Sequence, residues 1–177
     1  MRACLRQLGK SQAGNAVGQI LNQLRRRNLL PLCYSSPGLP LLCKILGFVF
    51  GDGTLRFERG SGKGAIAFYG DRDDLEEIRR DLFQLGFKPS RVWMRRRIHS
   101  IRTTYRDYRF ERTETWCTVN STALAALLAI LGAPIGNKAK QDYEAPRWLA
   151  VAPLWQKRLF LAALFGAELT APQTSRR

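Results

Sequence analysis

The sequence predicts an α+β domain in which helices cover one face of an antiparallel sheet. Three observations carry this. Apolar periodicity changes along the chain in the order helix, strand, strand, helix, strand, strand, helix, with one further helix behind. Glycine or proline separates most neighbouring segments. Both strand pairs lie close enough in sequence to form hairpins, so the sheet needs no long parallel crossover. At 177 residues the chain has the length of one domain with an appendage, and enough of it to bury a core.

In chain order, Val17, Ile20, Leu21 and Leu24 recur at helical spacing, which predicts an amphipathic helix over residues 14–27 whose basic end, Arg25 to Arg27, suits its dipole. Residues 29–40 contain Pro and Ser and read as a connector. The apolar run 41–50, stopped by Gly51-Asp52-Gly53, predicts a buried helix with a glycine stop. Leu55 and Phe57 alternate with polar residues, Gly60 to Gly64 turn the chain, and residues 65–69 form the second strand of a hairpin. Residues 71–85 carry Asp71 as an N-cap, acids in the first turn, Leu75, Ile78, Leu82 and Leu85 on one face, and Gly86 at the end. Residues 91–98 and about 104–119 are rich in Arg, Trp, Tyr, Phe and Thr and predict two strands joined by a polar loop that would hold His99. Asn120 or Ser121 caps an Ala/Leu helix that ends at Gly132 and Pro134, and a polar connector leads to a last helix over residues 154–167.

The charge is not that of an ordinary domain. Lys and Arg number 29 against 14 acids, a formal +15, which points to a polyanionic partner, nucleic acid before an acidic membrane surface. The excess is concentrated: from Lys88 to Arg112 nine basic residues stand against Asp107 and Glu111, a net of +7 (9 − 2). From Asp71 to Asp81 six acids stand against three arginines, a net of −3 (3 − 6), which reads as a solvated helix face turned away from the partner. Arginines interleaved with Trp93, Tyr105, Tyr108 and Trp116 on strands suit a duplex groove. Candidate DNA-binding residues are therefore Arg56, Arg91, Arg95, Arg97, Arg102, Arg106, Arg109 and Lys63. Gly62-Lys63-Gly64 is no P-loop, because a Ser or Thr after the lysine and a glycine at position 57 are both missing.

Cys4, Cys33, Cys43 and Cys117 form no Cys-x-x-Cys pair and His99 is the single histidine, which argues against zinc. The polar N-terminus shows no secretory signal and no apolar run has the length of a membrane span, so the expected setting is cytoplasmic, with reduced thiols.

Two apolar helices end alike. Ile45-Leu46-Gly47-Phe48-Val49-Phe50-Gly51-Asp52-Gly53 and Leu161-Ala162-Ala163-Leu164-Phe165-Gly166-Ala167-Glu168-Leu169 align without gaps, each with small third and seventh residues and an acid in eighth place, 116 residues apart (168 − 52). Small residues let helix backbones approach, and acids at their ends then meet. The pattern resembles the LAGLIDADG motif of DOD-type homing endonucleases, the kind embedded in archaeal inteins and introns. Between the motifs, Val119-Asn120-Ser121, Leu131-Gly132-Ala133-Pro134-Ile135-Gly136-Asn137-Lys138 and Pro146-Arg147-Trp148-Leu149 are similar to intein endonuclease sequence, as is Leu29-Leu30-Pro31-Leu32 upstream.

The resemblance covers roughly residues 28–174. It implies an αββαββα half-domain over residues 29–153, a second motif helix and tail over 154–177, and a basic N-terminal extension with a helix over 1–28. It further implies site-specific cleavage of double-stranded DNA, with Asp52 and Glu168 holding Mg2+ or Mn2+ and Lys138 beside them as catalytic residues, in an intracellular, archaeal setting. The sequence departs from the family where Leu169 replaces a glycine and where Thr170 to Arg177 replace a second sheet layer. It also shows no terminal splicing residues, so self-splicing is not expected. A half-sited enzyme that needs a second half or a homodimer is expected, with a catalytically inactive DNA- or RNA-binding module, maturase-like or regulatory, as the alternative. The last helix is expected to pack on the first motif helix, because Leu161, Leu164 and Phe165 would otherwise be exposed.

Overall fold

A computed structural model describes residues 14–168, with only the backbone described at Gly14, Asn15, His99 and Glu168. Its elements are α1 (Gly14–Arg25), α2 (Leu39–Phe50), β1 (Gly53–Phe57), β2 (Gly64–Tyr69), α3 (Arg72–Gln84), β3 (Trp93–Arg102), β4 (Asp107–Val119), α4 (Thr122–Ile130), α5 (Arg147–Ala150) and α6 (Leu154–Glu168). The fold is α+β, as the sequence predicts: the four strands form one antiparallel sheet in the order β1-β2-β4-β3. Local signals set the ends of the elements. Asp71 accepts from the Asp73 amide at the start of α3, and Ser121 accepts from the Leu124 amide at the start of α4.

The core lies between one sheet face and the helices. Leu55, Ile66, Phe68, Cys117 and Val119 on the strands pack with Leu42, Ile45, Leu46 and Val49 of α2 and Leu124, Leu127 and Leu128 of α4. Ile20 and Leu24 of α1 enter the same core. Burial of Cys43 and Cys117 pushes both thiols up to about 11. Cys33 is exposed, and its thiol is held below the usual value by hydrogen bonding first to the Ser35 hydroxyl and then to Ser36.

The β3–β4 hairpin differs from the expectation. Ten cross-strand pairs run from Trp93↔Trp116 to Arg102↔Asp107, while β2 pairs β4 only over residues 116–119. β3 and the part of β4 ahead of Trp116 thus form a two-stranded ribbon that outruns the rest of the sheet. His99, expected in a loop, is paired with Phe110 inside β3. Local alternation was diluted there because both faces of the ribbon are exposed, so no apolar side marks the strand. Among the described residues no helix is long and apolar enough to cross a membrane.

Candidate active site and nucleic-acid interface

Helices α2 and α6 pack at closest range through their small residues. A Cβ placed on Gly47 would drive into the Phe160 carbonyl oxygen and lie 3.1 Å from the Ala163 Cβ. The third residues of the two matched segments therefore face each other. The first turn of α6 is tied to the segment ahead of α2, where Gln156 Nε2 donates to the Tyr34 carbonyl at 2.7 Å, so the helices run side by side in the same sense. Phe50 and Phe160 close the seam edge-to-face at 5.4 Å. Of the three residues expected to be covered by this packing, Leu164 is half-buried, but Leu161 and Phe165 stay 41% and 51% exposed on the outer side of α6, with Leu154 and Trp155.

Asp52 follows α2 after its cap residue, Gly51. The chain leaves the helix through Gly53, where a Cβ would lie 2.5 Å from the Val49 Cα, so only glycine lets β1 start this close to the helix end. The exposed Asp52 opens onto a recess of about 690 Å3 that Thr54, Tyr69, Asn137, Lys138 and Tyr143 also line. Tyr69, Thr54, Asn137 and Tyr143 were not singled out in the sequence; only adjacency to Asp52 marks Thr54. Glu168 ends α6, and its side chain lies outside the described residues, as does Leu169.

Lys138 reaches the recess from an otherwise irregular segment. Ile135 bridges to Leu55 in parallel, the Gly136 amide donates to the Leu55 carbonyl at 2.7 Å, and Asn137 caps a single 3-10 turn at Lys138–Lys140. The half-buried Lys138 Nζ donates to the carbonyls of Val49 (3.2 Å), Phe50 (2.9 Å) and Gly51. These are unpaired acceptors at the negative end of the α2 dipole, so the ammonium stabilises the turn that presents Asp52.

The predicted basic residues divide between two faces. Buried Cys117 and Val119 fix which parity of β4 points to the helices. The opposite, open face then carries Arg56 of β1, Tyr69 of β2, Trp93, Arg95 and Arg97 of β3, and Tyr108, Phe110, Arg112 and Trp116 of β4. Arg112 was not proposed; counting back in twos from Trp116 would have found it. Arg95 and Arg97 do share this face. Both lean on Glu114, at 2.7 and 3.4 Å, and Arg95 also lies over the Trp116 ring at 5.0 Å.

The remaining basic residues lie elsewhere. Arg102 and Arg109 register on the reverse face of the ribbon, with Arg102 3.9 Å from Asp107. Arg91 stacks over Trp93 at 3.9 Å just ahead of β3, and Arg106 over Tyr108 at 4.3 Å in the turn. Lys63, in the β1–β2 turn, lines a separate recess with Arg27 and Lys88. Among the described residues no group of three or more His, Cys, Asp or Glu side chains could hold a metal ion. The carboxylate pair expected from the sequence, Asp52 and Glu168, would be a different donor set. Hard carboxylate oxygen atoms, with Asp52 just beyond the negative end of the α2 dipole, would suit Mg2+ in kind.

No family model matches the chain. It is 41% identical over 150 residues to the tRNA-splicing ligase RtcB of Methanopyrus kandleri, a stretch that covers 85% of this chain and 15% of that protein. It is 34% identical over 165 residues to the DNA-directed RNA polymerase subunit Rpo1N of Methanocaldococcus jannaschii, covering 90% of this chain and 12% of that one. The chain thus spans about one-eighth to one-seventh of these relatives' lengths. Among solved structures, the homing endonuclease I-WcaI bound to its DNA recognition sequence aligns with 13% identity and a TM-score of 0.44, over 78% of this chain and 60% of that one.

Proposed function

We propose that the chain is a Mg2+-dependent, site-specific DNA endonuclease module of the LAGLIDADG type, carried as an inserted segment within host proteins of unrelated activity. The observation that carries this reading is the α2–α6 seam, in which the two matched motifs meet at Gly47 and Ala163; in the proposed reading that seam would bring the terminal acids, Asp52 and Glu168, together. The comparisons support it from another side. A tRNA ligase and an RNA polymerase subunit share no activity by name, yet each contains a segment similar to most of this chain. A segment common to both is best explained by a function of its own.

The chain's own residues would divide the work. Arg56, Arg95, Arg97 and Arg112 on the open sheet face would engage the phosphates and base edges of double-stranded DNA. Asp52 and Glu168 would hold the metal, with Lys138 fixing the α2 end and contributing positive charge beside the scissile phosphate. Mg2+ bound there would supply Lewis-acid charge stabilisation and a more acidic bound water. One sheet covers half of a duplex site. The exposed apolar side of α6, with Leu161 and Phe165, supports a second endonuclease half as partner, so this chain alone would nick rather than cut both strands.

The test uses a supercoiled plasmid carrying a ligase gene from which the matching segment has been deleted. Mg2+-dependent nicking at the deletion junction, lost in Asp52→Asn and Glu168→Gln, supports the proposal. Binding at the junction without nicking by the native chain would favour a catalytically inactive DNA-binding module.

A further inference from the structure

We infer that the outer half of the β3–β4 ribbon reads thymine methyl groups in the major groove, so that the outer end of the DNA half-site is selected as A·T pairs; this rests on the DNA-binding reading above. The open face of the ribbon falls into bands set by the cross-strand register. Trp93↔Trp116, Arg95↔Glu114 and Arg97↔Arg112 come first, then His99↔Phe110 and Ile101↔Tyr108. The character changes sharply between the third and fourth bands. Among the described side chains, Arg97 and Arg112 are the last charged ones on this face within the strands, and beyond them Phe110, Ile101 and Tyr108 stand 43%, 49% and 42% exposed.

A surface of arginines suits guanine, whose O6 and N7 accept from a guanidinium, whereas an apolar surface has one complement in the major groove, the thymine C5-methyl group. The occupant of this apolar strip is identified by its continuity with the cationic bands on the same face and by the net +7 of residues 88–112. Arg106, stacked over Tyr108 in the turn, adds a cation at the ribbon tip where a phosphate would pass.

The geometry also sets the register. Bands are two residues apart, about 6.8 Å along a strand, close to the rise of two base pairs. The Phe110 band therefore lies about two base pairs, and the Ile101–Tyr108 band about four, outward of the pair read by Arg97 and Arg112. Burial of one methyl group against apolar side chains corresponds to about a fourfold change in affinity.

The experiment selects binders of the native chain from random duplexes and then replaces each selected thymine by deoxyuridine, which removes only the methyl group. The expected result is a consensus with A·T pairs about two to four base pairs outward of G·C pairs, and about fourfold weaker binding for each outer replacement. The double variant Ile101→Ser, Phe110→Ser, altered only at exposed positions, should become indifferent to those replacements and keep its salt dependence. Binding with a consensus whose outer positions tolerate deoxyuridine, or binding with no consensus, overturns this inference and leaves the DNA-binding reading intact. A chain that binds no duplex at all overturns both.

Discussion

Gly47 and Gly166 occupy motif helices that look alike in sequence, yet substitution by alanine should act in opposite directions. In a helix interior, Gly→Ala gains about 0.5–1 kcal/mol from backbone entropy and solvation. At Gly166 no atom lies within 4 Å of the added methyl group, so the gain should be realised, raising Tm by roughly 1–4 °C for a chain of this size. At Gly47 the methyl group meets the Phe160 carbonyl oxygen and the Ala163 Cβ. A main-chain oxygen cannot rotate away as a side chain can, so α2 and α6 must separate, and overpacking of this kind costs about 1–3 kcal/mol. With the clash near the upper end, it exceeds the propensity gain by about 1–2 kcal/mol, and Tm should fall by roughly 2–8 °C. Thermal unfolding followed by circular dichroism reads both variants. If the proposed function holds, Gly47→Ala should also reduce nicking beyond its effect on folding, because the seam would then set the distance between the acids. A Gly47→Ala chain as stable as the native one would refute close approach at this seam.

Other expectations follow from the same contacts. Lys44 of α2 lies 2.5 Å from Glu77 and 2.8 Å from Asp81 of α3, and Asp81 is 8% exposed. Lys44→Met leaves that carboxylate unpaired and should cost about 2 kcal/mol, less than the ~3–5 kcal/mol of a fully buried pair because Lys44 is partly solvated. Burial alone would lower the Lys44 pKa, but hydrogen bonds and charge from Asp81 and Glu77 outweigh it and raise the pKa above 10.5, while the Lys44 hydrogen bond and charge lower Glu77 below 4.5. Stability from the pair should therefore be full between those values. It is lost as pH falls through the lowered Glu77 value and as pH rises through the raised Lys44 value; denaturant midpoints across pH, native against Lys44→Met, check both slopes. Replacing Arg95 and Arg97 by alanine should flatten the log–log salt dependence of duplex binding by up to about two units, and Glu114→Gln, which releases both guanidiniums, should tighten binding. Lys138→Met should lower nicking and Tm together, because Val49, Phe50 and Gly51 lose a donor, whereas Lys138→Arg should restore Tm more than nicking. Among the described cysteines, Cys33 should react first with thiol reagents at neutral pH, with Cys43 and Cys117 protected until the chain unfolds.

The sequence by itself determined the elements and most of their ends, because those depend on contacts within a few residues. Asp71 and Ser121 cap where their side chains can reach the next amides, and the apolar run into Gly51 to Gly53 stops α2 where a glycine exit is needed. It also marked Gly47 and Ala163 as small residues at equal places in two helices, a pattern with a direct packing meaning. The tertiary structure decided what depends on distant partners. Lys138 bonds carbonyls 87 to 89 positions earlier, which no local pattern encodes. Period-two alternation paired Arg95 with Arg97, but cross-strand register and the buried parity of Cys117 and Val119 were needed to put Arg102 and Arg109 on the other face and to bring in Arg112. The outer side of α6 shows the same division: its apolar residues were legible as a helix that must pack, but hydrophobicity is not directional, and only the folded chain shows that one side of that helix is covered while Leu161 and Phe165 stay in solvent.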